Sequence, residues 1–179
     1  MDVTDLIVAE HARIDRLFGA LDDAARLAAG PGSTAFCPQW AVKTVWTRLG
    51  ELLDLHAEAE YEICFFEMFG CDTDRASDLE NAVAGLNDIH DAVAEARLLT
   101  VGSQAWSRAV DAARRATGRH IAQFETGALT DFRRQAAQRL RDDLGRQWMA
   151  FTAALRRDLA ADHESVRQLP SLRSWQRLW

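Results

Sequence analysis

The chain has 179 residues, 48% of them hydrophobic, and carries a formal net charge of −6. That length buries a real core without covalent staples and reads most simply as one domain. Acids and arginines alternate along the same segments, so the chain lacks the basic face that nucleic-acid binding requires.

Three cysteines, Cys37, Cys64 and Cys71, cannot all pair, and no CxxC motif is present. Cys64 lies among Ile63, Phe65 and Phe66 and reads as a buried thiol. The first residues, MDVTDLIVAEH, show no basic region followed by an apolar run, so no signal peptide is expected. No long uncharged apolar stretch is present either, so no membrane span is expected. A reduced, cytoplasmic protein is the expectation.

In chain order, the periodicity predicts helices only. Residues 2–28 place Leu6, Ile7, Ile14, Phe18 and Leu21 at three- and four-residue steps, between Asp, Glu and Arg. Gly30-Pro31-Gly32 stops that helix, and residues 31–38 read as a loop. A second helix runs from about Trp40 to Phe69 with Val42, Trp46, Leu49, Leu52, Leu53, Ile63 and Phe66 as its stripe, and Gly70 ends it. A polar turn follows over 70–76. A third helix starts near Ser77, where Ser77 and Glu80 match a capping box. It continues through Val83, Leu86, Ile89, Val93 and Leu99, and breaks at Gly102-Ser103. A fourth spans about Gln104 to Glu125. A fifth covers roughly 131–161 with Leu140, Leu144, Trp148, Phe151 and Leu155 facing inward. No alternating strand pattern and no repeat occurs. Short connections favour antiparallel neighbours, so the expected fold is an all-α up-down-up-down four-helix bundle over residues 1–130. Residues 131–179 add a helix and a Trp-containing tail.

The chemistry lies in the histidines. Of five, four fall in four different predicted helices: His11, His56, His90 and His120. His11 is four residues after Ile7 and seven before Phe18. His56 follows Leu52 and Leu53, with Glu60 one turn further on the same face. His90 is four after Leu86 and three before Val93. By phase these three point inward. His120 is followed by Phe124 at the fourth position and Glu125 at the fifth. Glu125 therefore sits roughly 140° around an ideal helix and needs its full reach, or a π-bulge, to share a site with His120. Burying four imidazoles leaves many donors and acceptors to satisfy, at roughly 1–3 kcal/mol for each one left unmade. A metal pair resolves that and neutralises the acids. Imidazole and carboxylate without thiolate suit Fe or Mn over structural Zn.

Four stretches carry a resemblance: VTDLIVAEHARIDRLF around His11, LLDLHAEAEYEICFF around His56, LNDIHDAVAEARLL around His90 and ARRATGRHIAQFETGAL around His120. Over about residues 2–130 the chain resembles the hemerythrin-like (HHE cation-binding) family. That resemblance implies two Fe ions, a non-heme di-iron pair inside a four-helix bundle. It implies that His11 and His56 serve one iron, that His90 and His120 serve the other, and that Glu60 and Glu125 bridge. Oxygen carriers of the family have a second histidine on the third helix, where this chain has Leu86 and Ala94 at the flanking positions. The missing ligand leaves an extra exchangeable site. The implied chemistry is therefore binding or activation of dioxygen, peroxide or NO beyond reversible carriage. A di-iron oxidase of a small organic substrate and an oxygen or redox sensor or iron store are the rivals.

Among the other residues, Tyr61 reads as interface packing and Asn87 as a polar neighbour of His90. Glu10 and Asp15 read as solvated, and His163 as a surface residue. Trp148, Trp175 and Trp179 are candidates to pack across the bundle, to cover the site mouth, or to join a second subunit in a homodimer.

Overall fold

The structure, a computed structural model, describes residues 1–29, 38–70 and 76–168, with side chains described to residue 157. Cys37, Cys71, the side chain of His163, Trp175, Trp179 and the tail lie outside the described residues. All the described elements are helices. They are α1 (Val3–Ala29), α2 (Pro38–Ala59), a π-helical turn (Glu60–Phe65), α3 (Phe66–Phe69), α4 (Ala76–Leu98), α5 (Gln104–Thr126), α6 (Ala128–Gln135) and α7 (Gln138–Gln168). No described helix is long and apolar enough to cross a membrane.

One apolar core joins them. On α1 the buried positions Val3, Ile7, His11, Ile14, Phe18 and Leu21 recur at helical spacing. α1 packs along α2, and α4 along α5. α7 lies against both α1 and α2, and its Leu144 and Trp148 enter the same core. α7 runs parallel to α1, because Arg141 Nε donates to Asp2 Oδ2 at 2.8 Å and Arg156 to Glu10 Oε1 at 3.3 Å.

Local chemistry explains most boundaries. Gly70 takes φ 61°, a left-handed value that ends α3, and its N–H bonds the Phe66 carbonyl. Between α4 and α5, Gly102 at φ 83° turns the chain and the Ser103 side chain caps α5 by accepting from the Trp106 N–H at 3.1 Å.

Two elements differ from the sequence expectation. The helix expected over 131–161 is broken at Ala136-Ala137, where α6 stops and α7 begins. No stop residue marks the corner. It is held from outside, by Arg141 donating to the Ala136 carbonyl at 2.9 Å while bound to Asp2. The second difference is the π-turn after Ala59. An extra residue per turn delays the phase by one position, so Cys64 and Met68 take the core places an unbroken helix would give to Ile63 and Glu67. Phe66, expected in the stripe, is 70% exposed, while Phe65 is buried.

Candidate metal centre

Three helices and the π-turn bring four side chains together. The ligand atoms of His11 (α1), His56 (α2), Glu60 (first residue of the π-turn) and His120 (α5) all lie within 4.8 Å of one another, and all four residues are buried. His120 is in phase with the buried Ala113, Thr117 and Phe124 of α5, so the periodicity that buries the apolar face also buries the imidazole.

The hydrogen bonds fix the tautomers of two rings. His11 Nδ1 lies 2.7 Å from Glu125 Oε1, and His56 Nδ1 lies 3.2 Å from Glu10 Oε2. An ionised carboxylate only accepts, so each Nδ1 carries the proton and donates. In the neutral rings both Nε2 atoms are then bare lone pairs. They face each other at 3.1 Å. Glu60 Oε1 completes the group, 3.4 Å from His11 Nε2 and 3.2 Å from His56 Nε2. This oxygen is buried and has no hydrogen-bond partner among the described residues. Glu60 Oε2 faces the other way and accepts from His120 Nε2 at 2.8 Å.

Three acceptors converging in a dry interior repel unless a cation lies between them. Their spacing suits a single ion. Two ligand atoms at about 2.1 Å from a metal and about 90–109° apart are about 3.0–3.4 Å from each other, which is the range of the three observed edges. Two imidazoles and one carboxylate on one face, with the remaining positions open, is a donor set typical of non-heme iron. Glu10 and Glu125 hold the far nitrogens of two of the rings, as carboxylates do behind metal-bound histidines.

Without a metal, a proton fills the gap. Burial opposes charge on His56, but the Glu60 carboxylate and the hydrogen bond to Glu10 outweigh it and raise the ring from the ordinary 6.5 to about 9. Glu60 is itself desolvated, yet His56, His11 and His120 hold it well below the usual carboxylate range. A histidine with a raised folded-state pKa stabilises the fold fully below its unfolded value and loses that contribution as pH rises through the folded one. The metal-free protein should therefore lose about 3 kcal/mol of stability between pH 6.5 and about 9. Urea unfolding across that range, with chelator present, tests this. A flat profile would remove the His56–Glu60 pair as its cause.

The walls are aromatic. Phe124 stacks on His120, with ring centroids 5.5 Å apart and 17° between planes, and Trp148 meets His56 edge-on at 5.7 Å. Cys64 is fully buried, as expected, and burial, then the Glu60 charge, pushes its thiol up.

Of the six ligands expected from the sequence, four converge. Glu125 stands behind His11, half-buried, with no carboxylate oxygen in the group of four. It arrives by side-chain reach, since α5 stays α-helical through Thr126; the π-turn lies on the chain after α2 instead. His90 is the larger correction. It is 63% exposed and paired at 3.4 Å with Asp54, away from the cluster. The buried stripe of α4 is Leu86, Ile89, Ala92, Val93 and Ala96. At about 100° per residue, His90 is about 90° from the centre of that stripe. Where α4 passes the cluster it offers Gly85, whose missing Cβ would lie 3.4 Å from His120 Nδ1. His90→Ala should leave metal content unchanged within error; loss of metal on that substitution would restore His90 as a ligand.

Glu10 is the residue the sequence reading missed. Expected to be solvated, it is 8% exposed and links His56 to Arg156. Its spacing from Ile7 and Ile14 was the available signal. Tyr61, expected to pack in an interface, is exposed at the surface, edge-on to Phe65.

The fold and site define an all-α protein with a buried group of three histidines and one glutamate able to hold a metal ion. The chain matches no protein-family model, no curated protein and no solved structure.

Proposed function

We propose that the protein is a non-heme iron protein of hemerythrin-like design, and that its buried centre binds or activates dioxygen, peroxide or nitric oxide. In this reading α1, α2, α4 and α5 form an up-down-up-down bundle, and the segment from residue 131 onward is an addition packed on it. The observation that carries the proposal is the fully buried Glu60 Oε1, which has no hydrogen-bond partner among the described residues and faces the Nε2 atoms of His11 and His56. When bound, an iron ion with these ligands supplies open positions for small ligands and a change of oxidation state. The chain's own part is to hold the ligands and keep bulk water away. Glu125 and the Glu10–Arg156 pair orient His11 and His56, and Phe124 and Trp148 wall the site.

One tightly held ion is the occupancy this geometry favours, because three ligand atoms share one face. A second reading, two ions bridged by Glu60, rests on Oε2 pointing to His120 instead of to the other two rings. A second ion would have His120, Oε2 and a displaced Glu125 as protein ligands, with His90 out of reach.

Metal analysis after anaerobic reconstitution with Fe(II) decides. About one iron per chain supports the first reading, about two supports the bridged pair, and a value well below one for both Fe(II) and Mn(II) removes the metal centre altogether. Reactivity is read separately, from spectral changes on adding oxygen, peroxide or NO to the reconstituted protein. No change with any of the three would leave a metal protein without the proposed chemistry.

A further inference from the structure

The histidines of the cluster differ in what their second ring nitrogen meets. His11 and His56 donate theirs to Glu125 and Glu10. His120 engages Glu60 Oε2 through Nε2 at 2.8 Å, and its Nδ1 has no hydrogen-bond partner among the described residues. The side chain is only 3% exposed, yet it lines a cleft of about 540 Å³ between α4, α5 and α6. Gly85 keeps the cleft open at the ring, since a Cβ there would stand 3.4 Å from Nδ1. The Glu60 carboxylate only accepts, so Nε2 carries the proton and the neutral ring turns a bare lone pair toward the cleft.

The surroundings specify a partner for that lone pair. It must be a donor, because a carboxylate or carbonyl oxygen would set acceptor against acceptor. It must also be uncharged. Asp88 is paired with Arg119 at 3.3 Å and Asp131 with Arg134 at 2.8 Å. Asp78 is exposed at the rim, seven residues or about 10 Å along α4 from Gly85. No counter-charge therefore waits beside Nδ1, and an ammonium there would be buried unpaired. The walls suit a flat apolar ring. Phe69 and Phe124 line the cleft, each packed on Phe65 with ring centroids 5.4 and 6.0 Å apart, and Phe124 also stacks on His120. Gly85 and Ala116 add almost no bulk.

We propose that this cleft binds a small aromatic hydroxy compound, its O–H donating to His120 Nδ1 and its ring lying against Phe69 and Phe124. The hydroxyl is then linked through His120 to Glu60, whose other oxygen faces His11 and His56. Hydrogen bonds in such a chain polarise one another, so the occupant influences the cluster without entering it. The site is built from the chain's own atoms and stands whether or not the cluster holds a metal.

The test is titration of phenol into the full-length metal-free protein, with the ring nitrogens of 15N-labelled histidine followed by NMR. The His120 Nδ1 resonance should move upfield and saturate, as a nitrogen that gains a donor does, while His90, which lines a different cavity, stays in place. Toluene, which keeps the ring and lacks the donor, should bind at least about tenfold more weakly, and so should benzoate, which offers only acceptors. Gly85→Val puts a branched side chain beside the ring and should weaken phenol binding at least about tenfold. Should that variant misfold by circular dichroism, the wild-type ratio of phenol to toluene affinity decides. An unmoved His120 resonance up to the solubility limit of phenol, a shift confined to His90, equal affinity for toluene, or tighter binding of benzoate would each overturn the assignment.

Discussion

Glu60→Gln should cut metal affinity at least about a thousandfold, well beyond the roughly 10–100-fold cost of losing an outer partner of a metal ligand. The substitution keeps volume and removes charge, so it isolates the carboxylate's role. Glu60 supplies the only negative charge among the four converging groups. Its loss leaves three neutral imidazoles around an amide that binds metals weakly. A second readout comes from the protein without metal. His56 is held at about 9 chiefly against burial by Glu60. With a neutral amide there, burial and the Glu10 hydrogen bond remain but the Glu60 charge is lost, so the ring's pKa should fall from about 9, which NMR of the histidine resonances measures directly. The stability gap between variant and wild type should be widest below pH 6.5, at most about 3 kcal/mol, and close toward pH 9. Retained stoichiometric iron in Glu60→Gln would sink the assignment of Glu60 as the central ligand.

Trp148→Ala should cost about 3–5 kcal/mol of stability, as removal of a buried indole does elsewhere. Against a typical total of about 5–15 kcal/mol this is a large fraction. The ring is buried between α7 and the core and forms one wall of His56. Its removal leaves a cavity that admits water beside the metal ligand, so metal affinity should drop as well. Urea denaturation gives the first effect and metal competition with a chelator the second. A loss under about 1 kcal/mol would mean that α7 is a loosely attached appendage.

Most of the helical architecture was readable because each long helix carries its own apolar period. α1 is the clearest case: Ile7, Ile14, Phe18 and Leu21 announce a face that also contains His11. α4 misled because two of the five residues of its buried stripe are alanine. Ala92 and Ala96 carry little hydrophobic weight beside Leu86 and Val93, and that small difference turns His90 from inward to outward. The π-turn was invisible for another reason. The run Ile63-Cys64-Phe65-Phe66 is apolar throughout and accepts either phase, so tertiary packing makes the choice. The break at Ala136 likewise has no local signal, since Arg141 and Asp2 impose it through a contact between distant parts of the chain. At the site, residues that touch the cluster by the shortest route were legible, and those that act behind them, Glu10 and Arg156, were not. A glutamate on a helix usually reads as solvated until its partner on another helix is known.

The parallel run of α7 along α1 has a consequence for timing. His11, His56 and Glu60 leave the ribosome ahead of α7. Arg156, which bonds the Glu10 carboxylate behind His56, leaves about a hundred residues later. A nascent chain therefore carries all four ligands before it has the helix that steadies one of them and walls off the pocket. The finished centre waits for α7, and a truncated chain that ends before Trp148 would carry its histidines open to whatever ion is most abundant.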